Sequence, residues 1–222
     1  MHHYEQHCPV ARAAEVVGGS WTLLVVRELL RGSEYRADIA RGVPKMSDRL
    51  LGARLRELTD LGVVGEEPGD DGQPRYVLTE AGHELRPVVD ALAGWGRRWL
   101  PAPRLGDLDA ELLLFDICRQ VDEDRLPDHP LTVQVDIADA PPPRRWWLTF
   151  SSAGAAVRAT APATRVSLVR LRCTIGALAG AWLGRHTWLS AVRERSIVLV
   201  GDPEEVRTVI DCVGVSRYGE PA

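Results

Sequence analysis

The stretch that decides the fold is Lys45–Leu61, KMSDRLLGARLRELTDL. Ser47 is a helix N-cap residue, and Asp48 follows where negative charge favours the positive end of a helix dipole. Leu51, Leu55 and Leu58, flanked by Leu50 and Leu61, recur at the spacing of one buried stripe, which predicts a helix of about four turns. At about 100° per residue, Arg49, Gly52, Ala53, Arg56 and Asp60 fall on the opposite side. Gly52 is unusual there, because an interior glycine costs about 1 kcal/mol relative to alanine. A face of arginines and very small residues can lie close against a polyanion. The same face also reads as an ordinary solvated one, and the helix alone does not separate the two.

Its neighbours favour the polyanion. Upstream, Tyr35–Val43 is long enough for a two-turn helix with Ile39, Ala40 and Val43 inward, broken by Gly42-Val43-Pro44. A short helix, a tight turn and a second helix with basic outer residues is the helix-turn-helix layout, whose second helix enters the major groove. Downstream, Gly62-Val63-Val64 starts a strand, Glu66–Pro74 is turn chemistry with an Asp-Gly pair at its centre, and Arg75–Leu78 returns as a strand. Helices followed by a hairpin make a winged helix, with the wing tip near Asp71–Arg75.

Three segments in order, CPVARAAEVVGGSWTLLVVRELLRG (Cys8–Gly32), DIARGVPKMSDRLLGARLRELTDLGVV and RYVLTEAGHELRPVVDALAGWGRRW (Arg75–Trp99), resemble the HxlR-type winged-helix transcriptional regulators, relatives of the MarR group. The resemblance implies a homodimer on double-stranded DNA. On the reading of the residues themselves, Lys45, Ser47, Arg49, Ala53 and Arg56 are expected to meet the major groove and Arg75 on the wing the adjacent minor groove, with Asp48, Gly52 and Gln73 also expected among the DNA-binding residues. Where the family shows a proline, a small polar residue and a further serine, this chain has Asp48, Arg49 and Gly52, so the resemblance carries the fold but not the DNA sequence read. Cys8 occupies the family's Cys-Pro position, which some members use as a redox sensor; it also reads as an inert N-terminal thiol.

Length and composition bound these readings. The 222 residues are 45% hydrophobic, enough for proper cores in one large or two small domains. The net charge is −4, and residues 1–100 carry 13 basic against 15 acidic side chains. DNA binding therefore rests on local clustering: Lys45, Arg49, Arg54 and Arg56 against Asp48 and Glu57. No run approaches 18 apolar residues and no signal peptide opens the chain, so a cytoplasmic protein without a membrane partner is expected. Cys8, Cys118, Cys173 and Cys212 make neither a zinc pattern nor a disulfide framework. His2, His3 and His7 read as a frayed end, so no metal and no cofactor are expected.

Cys8-Pro9 opens a first helix with Val10, Ala13, Ala14 and Val17 inward, and Ser20 caps a second with Trp21, Leu24, Val25, Leu29 and Leu30 buried. Arg54 points toward the buried stripe and is expected to partner an acid such as Glu28. Thr79–Gly82 opens another helix to about Trp99, with Leu85, Val88, Val89, Leu92, Trp95 and Trp99 at helical spacing. In the family this helix and the first one build the dimer; packing within the chain is the other reading.

Pro101-Ala102-Pro103 marks a boundary, and Asp107–Val121 reads as an amphipathic helix. Leu131–Ile137 alternates as a half-buried strand, and Trp146, Leu148 and Phe150 share one face of the next while Arg145, Trp147 and Thr149 share the other. Ala155–Thr160, Val166–Cys173 and Ser196–Val200 are further strands; Thr174–Leu183, Trp188–Arg193 and Glu204–Val213 are helical. The fold class expected is α+β: a winged helix-turn-helix domain (1–100), a linker helix (101–128) and an antiparallel-sheet domain (129–222) with helices on one side. The order of strand, apolar helix, short helix and the run VLVGDPEEVRTVI resembles the sterol carrier protein type-2 domain. That resemblance implies an apolar ligand between sheet and helices, with Trp147, Phe150, Trp182 and Trp188 as its walls; the same side chains also read as core filling.

No phosphate loop, nucleophile elbow or metal cluster is present in the sequence, so an enzyme is not expected. The expectation is a homodimeric DNA-binding transcriptional regulator, its second half sensing a small apolar effector or enlarging the dimer. The alternative is an apolar-ligand carrier whose winged half serves protein interaction.

Overall fold

Apolar stripes at helical and strand spacing collapse into two separate hydrophobic clusters, and in the computed structural model these are the cores of two units, Met1–Gly96 and Arg97–Ala222. The structure describes residues 4–69, 72–163 and 167–219. His2, His3, Asp71 at the expected wing tip and Val166 at the start of an expected strand lie outside the described residues.

The first unit runs α1 (Pro9–Val17), α2 (Thr22–Leu30), α3 (Arg36–Gly42), α4 (Asp48–Asp60), β1 (Val64–Pro68), β2 (Pro74–Leu78), α5 (Glu80–His83) and α6 (Arg86–Trp99), whose last turn belongs to the second unit. Leu51, Leu55 and Leu58 of α4 are buried against Val25, Val26 and Leu29 of α2 and Ile39 of α3. Each fully buried side chain of this size contributes about 1.5–3 kcal/mol. The β1–β2 hairpin is antiparallel, and Tyr35 bridges to Arg75, so the segment before α3 is tied to the wing.

A buried acid joins α2 to α3. Glu28 is 0% exposed; Arg27 Nη2 lies 2.7 Å and Arg31 Nη1 3.4 Å from its Oε1, and the Arg27 guanidinium also donates to the Gly42 carbonyl at 3.0 Å. A Cβ on Gly42 would stand 1.8 Å from Glu28 Oε2, so only glycine lets the end of α3 approach this carboxylate.

Several expectations change here. Arg54 does not partner Glu28: its Nε donates to the Ser20 carbonyl at 3.0 Å and its Nη1 pairs with Glu57 one turn on. Its structural role stands with other partners, because Arg27 on α2 and Arg31 just past its end hold Glu28. α1 buries none of its residues, and Val10 is 75% exposed. Trp21 adopts a left-handed backbone (φ 73°) as the residue before α2, so the helix starts at Thr22 and Leu24 turns outward. The single helix expected after the wing is two, α5 and α6; Thr79 caps α5 by accepting from Gly82 N–H.

The second unit runs α7 (Ala110–Arg119), β3 (Leu131–Ile137), β4 (Arg145–Ser151), β5 (Gly154–Arg158), β6 (Leu168–Cys173), α8 (Ile175–Trp182), α9 (Trp188–Arg193), β7 (Ile197–Val200) and α10 (Pro203–Val213). Its sheet has the order β5-β4-β3-β6-β7. The antiparallel sheet expected is a mixed one, since β3 and β6 pair in parallel. After β5 at one edge the chain returns beyond β3, and β6 then runs in the direction of β3. Alternation reveals a strand but not the partner it will find.

Register puts Leu131, Val133 and Val135 of β3 beside Phe150, Leu148 and Trp146 of β4. This face packs with α7, α8, α9 and α10 into one core. The helix expected as a linker, α7, buries Leu113, Leu114, Phe115, Ile117 and Cys118 in this unit. Burial also pushes the Cys173 thiol up to about 12. No helix among the described residues is long and apolar enough to cross a membrane.

Candidate nucleic-acid interface

The candidate interface is built on α4. Ser47 Oγ accepts from Leu50 N–H at 3.3 Å, which fixes the start of the helix, and the leucine stripe fixes its rotation. Arg49, Ala53 and Arg56 then line one outer stripe. Arg49 and Arg56, seven residues apart, lie within about 20° of one another around the helix and about 10 Å apart along it. Both are exposed, as are Lys45 and Ser47 just before the helix, and Ala53 is half-buried. Among the described residues the side chains of Lys45, Arg49 and Arg56 make no hydrogen bond or ion pair, so three cations on one surface are unneutralised by the protein itself.

Asp48 and Gly52 belong to a different arrangement, centred on Arg36. The Arg36 guanidinium donates to Asp48 Oδ1 at 2.8 Å and to the Asp48 carbonyl at 2.7 Å, and approaches Oδ2 at 2.7 Å. It continues across the first turn, where a Cβ on Gly52 would lie 3.0 Å from its Nη2. Gly52 is therefore buried beneath Arg36 and not open on the outer face. The helical wheel places it outward correctly, but a wheel carries no information on the neighbouring arginine that covers that side. Sequence reasoning misses Arg36 altogether. Its only signal is an arginine opening α3 with an acid twelve residues on, which means little until the turn is closed.

On the wing, Gln73 is exposed. Arg75 does not stand free: its guanidinium holds Glu67 at 2.6 Å and Glu34 at 3.1 Å. The hydrogen bond to Glu67, and the charge of Glu34 behind it, raise its pKa further. Arg75 thus clamps β1 to β2 and to the segment leading into α3.

α6 carries a second exposed feature. Val88, Leu92, Trp95 and Trp99 lie on one face and are 43%, 48%, 56% and 64% exposed, whereas Val89 faces the core. Arg86 anchors the helix by donating to the Leu30 carbonyl at 3.1 Å. Cys8, the residue before α1, is exposed, and hydrogen bonds from the backbone of Ala11 and Val10 hold its thiol pKa below the ordinary value.

In the second unit Trp147, Phe150, Trp182 and Trp188 are all buried, but they do not share one side of the sheet. Trp147 and Phe150 are three apart on β4 and face opposite ways, so Trp146 takes the helix-facing place expected for Trp147. Trp188 Nε1 donates to the Gly214 carbonyl at 2.8 Å. The buried indole N–H groups of Trp146 and Trp182 have no acceptor among the described residues. Among these residues no group of three or more His, Cys, Asp or Glu side chains is arranged to hold a metal.

Comparison with known proteins bears on the first unit. Residues 16–104 match the family model of the HxlR-like helix-turn-helix. An HTH-type transcriptional regulator of Methanothermobacter thermautotrophicus is 37% identical over 97 residues, covering 43% of this chain and 74% of that protein. One of Mycobacterium tuberculosis is 40% identical over 98 residues, 42% of this chain and 60% of the relative. YvaP of Bacillus subtilis, also an HTH-type transcriptional regulator, is 32% identical over 96 residues, 42% of this chain and 89% of its own length.

Proposed function

This chain belongs to the HxlR-like helix-turn-helix family, and from that premise we propose that it is a DNA-binding transcriptional regulator that reads its operator with α4. The observation that carries the reading is the stripe Arg49–Ala53–Arg56 on a capped, core-anchored helix, its guanidiniums free of protein partners. Rigid placement matters, because base readout needs donors held in register while phosphate contacts supply most of the affinity. With Lys45 and Ser47 at the leading end of α4 and Gln73 on the wing, the same surface can follow the backbone on either side of the groove. Arg75 serves it indirectly, by holding the wing. Replacing Arg49 or Arg56 with alanine is expected to weaken specific binding by about 1–3 kcal/mol for each base no longer read, with unfolding unchanged. Wild-type affinity for operator DNA in both variants would put the interface elsewhere.

The regulator acts as a homodimer in this reading. Four large apolar side chains on one face of α6 and an α1 without buried residues favour a second copy as their cover. The second unit is the sensing half, with a sterol-carrier-like fold enclosing a small apolar effector. What supports it is that the buried indole N–H groups of Trp146 and Trp182 each lack an acceptor among the described residues and could each donate to a ligand oxygen. The effector would shift DNA affinity by no more than its differential affinity for the two arrangements of the regulator.

A further inference from the structure

The side of the second unit's sheet that faces away from its helices is organised in two cross-strand rows. One runs Arg145, Asp136, Arg172, Val198 from β4 to β7, and the other Trp147, Gln134, Arg170, Val200. Apart from Trp147, these residues line a groove of about 430 Å³, a size that suits a small organic molecule. Gln134 is 91% buried at its floor.

Charge in the groove is unbalanced. Asp136 is already engaged: Arg145 Nε donates to its Oδ1 at 2.7 Å and Gln134 Nε2 to its Oδ2 at 2.8 Å. Burial works against the ionised form of Asp136, but those hydrogen bonds outweigh it and hold the carboxyl below its usual range. Arg172 lies beside this satisfied acid without a hydrogen bond to it, and Arg170 has only Gln134 and Val200 beside it in register. Among the described residues neither makes an ion pair. Three guanidiniums therefore face one carboxylate, in a chain whose net charge is −4. Next to them Val198 and Val200 are 40% and 58% exposed on the edge strand β7.

We propose that this groove binds a small organic carboxylate with a compact aromatic or branched apolar body. The carboxylate lies between Arg170 and Arg172, and the apolar group lies on Val198 and Val200. The dimensions fit: two residues apart on a strand, the arginines are separated by about 6.6 Å, close enough for both side chains to reach one carboxylate, while the valines lie one inter-strand spacing of about 4.8 Å away. That offset matches an acid joined to its ring or branch directly or through one methylene. A bare inorganic anion would leave the valines unused, and so would a nucleic-acid backbone. The site is separate from the interior effector and from DNA reading, and stands or falls without them.

The test is calorimetric titration of the full chain with phenylacetate and with 3-methylbutanoate. Saturable one-to-one binding is expected, weakened at least tenfold in the Arg170→Gln/Arg172→Gln variant and likewise in Val200→Glu. Circular dichroism should show both variants folded, since all three side chains are exposed. Phenylacetamide, which keeps the ring and loses the charge, should bind at least tenfold more weakly. Absence of saturable heat with either acid would overturn the site and leave the arginines as a solvated face. Undiminished binding in the double arginine variant would overturn it too. Displacement by inorganic phosphate at equal concentration would reduce it to a plain anion site. Displacement by duplex DNA in an Arg49→Ala/Arg56→Ala background would make it a nucleic-acid face instead.

Discussion

At the scale of single residues, Arg36 changes how the recognition surface is understood. Asp48 places a negative charge on the proposed DNA-facing surface, and Arg36 offsets it through contacts of 2.7–2.8 Å. Because Asp48 is 79% exposed, the pair adds little to folding, on the order of 0–1 kcal/mol. Its effect should appear in binding. Arg36→Ala is expected to reduce DNA affinity several-fold by leaving Asp48 uncompensated, and adding Asp48→Ala should restore most of that affinity. Equal affinities of the single and double variants by fluorescence anisotropy would show that the pair does not act on DNA. Cys8 gives a chemical test at the same scale. Its lowered thiol pKa means more thiolate at neutral pH, so iodoacetamide should label Cys8 ahead of the buried Cys118, Cys173 and Cys212 in the native chain. Mass spectrometry of tryptic peptides would read the order directly.

At the scale of elements, legibility follows the reach of each interaction. The span of α4 is readable because its cap, stripe and ends lie within one stretch: Ser47 to Leu50 for the cap, Leu51 to Leu58 for the stripe. β3 is readable for the same reason, since alternation is local. Contacts made by side chains from elsewhere leave no such local signal: Arg36 over Gly52, and Glu67 and Glu34 on Arg75. The parallel pairing of β3 with β6 belongs here, because pairing partners are settled by the path of the chain. Glu28 is the opposite case, since its partners Arg27 and Arg31 are near neighbours in sequence and the distant Arg54 is not needed. The join of α2 to α3 can be tested on its own. Gly42→Ala forces a Cβ into Glu28 and is expected to cost about 1–3 kcal/mol in urea denaturation. Gly94→Ala, in α6 with nothing within 4 Å, should stabilise by about 0.5–1 kcal/mol. If both substitutions behaved alike, helix propensity and not the close approach would be governing Gly42.

At the scale of the molecule, an acidic chain can bind a polyanion only by concentrating its free cations, and α4 with its approach is where the first unit does so. Such a surface is small. Two copies on neighbouring half-sites would supply the affinity that one lacks, and in the proposed dimer the exposed stripe of α6 would be the means of pairing. Light scattering should give a mass near twice 24.5 kDa, falling to that of one chain in Trp95→Glu. The most direct measurement is selection of duplexes from a random pool by the full chain, followed by hydroxyl-radical footprinting of the enriched sequence. The expected result is an inverted repeat with half-sites about 10 base pairs apart, protected on one face of the duplex, with protection abolished in the Arg49→Ala/Arg56→Ala variant. Failure of any sequence to enrich, or an enriched site protected equally well by that variant, would contradict operator reading through α4.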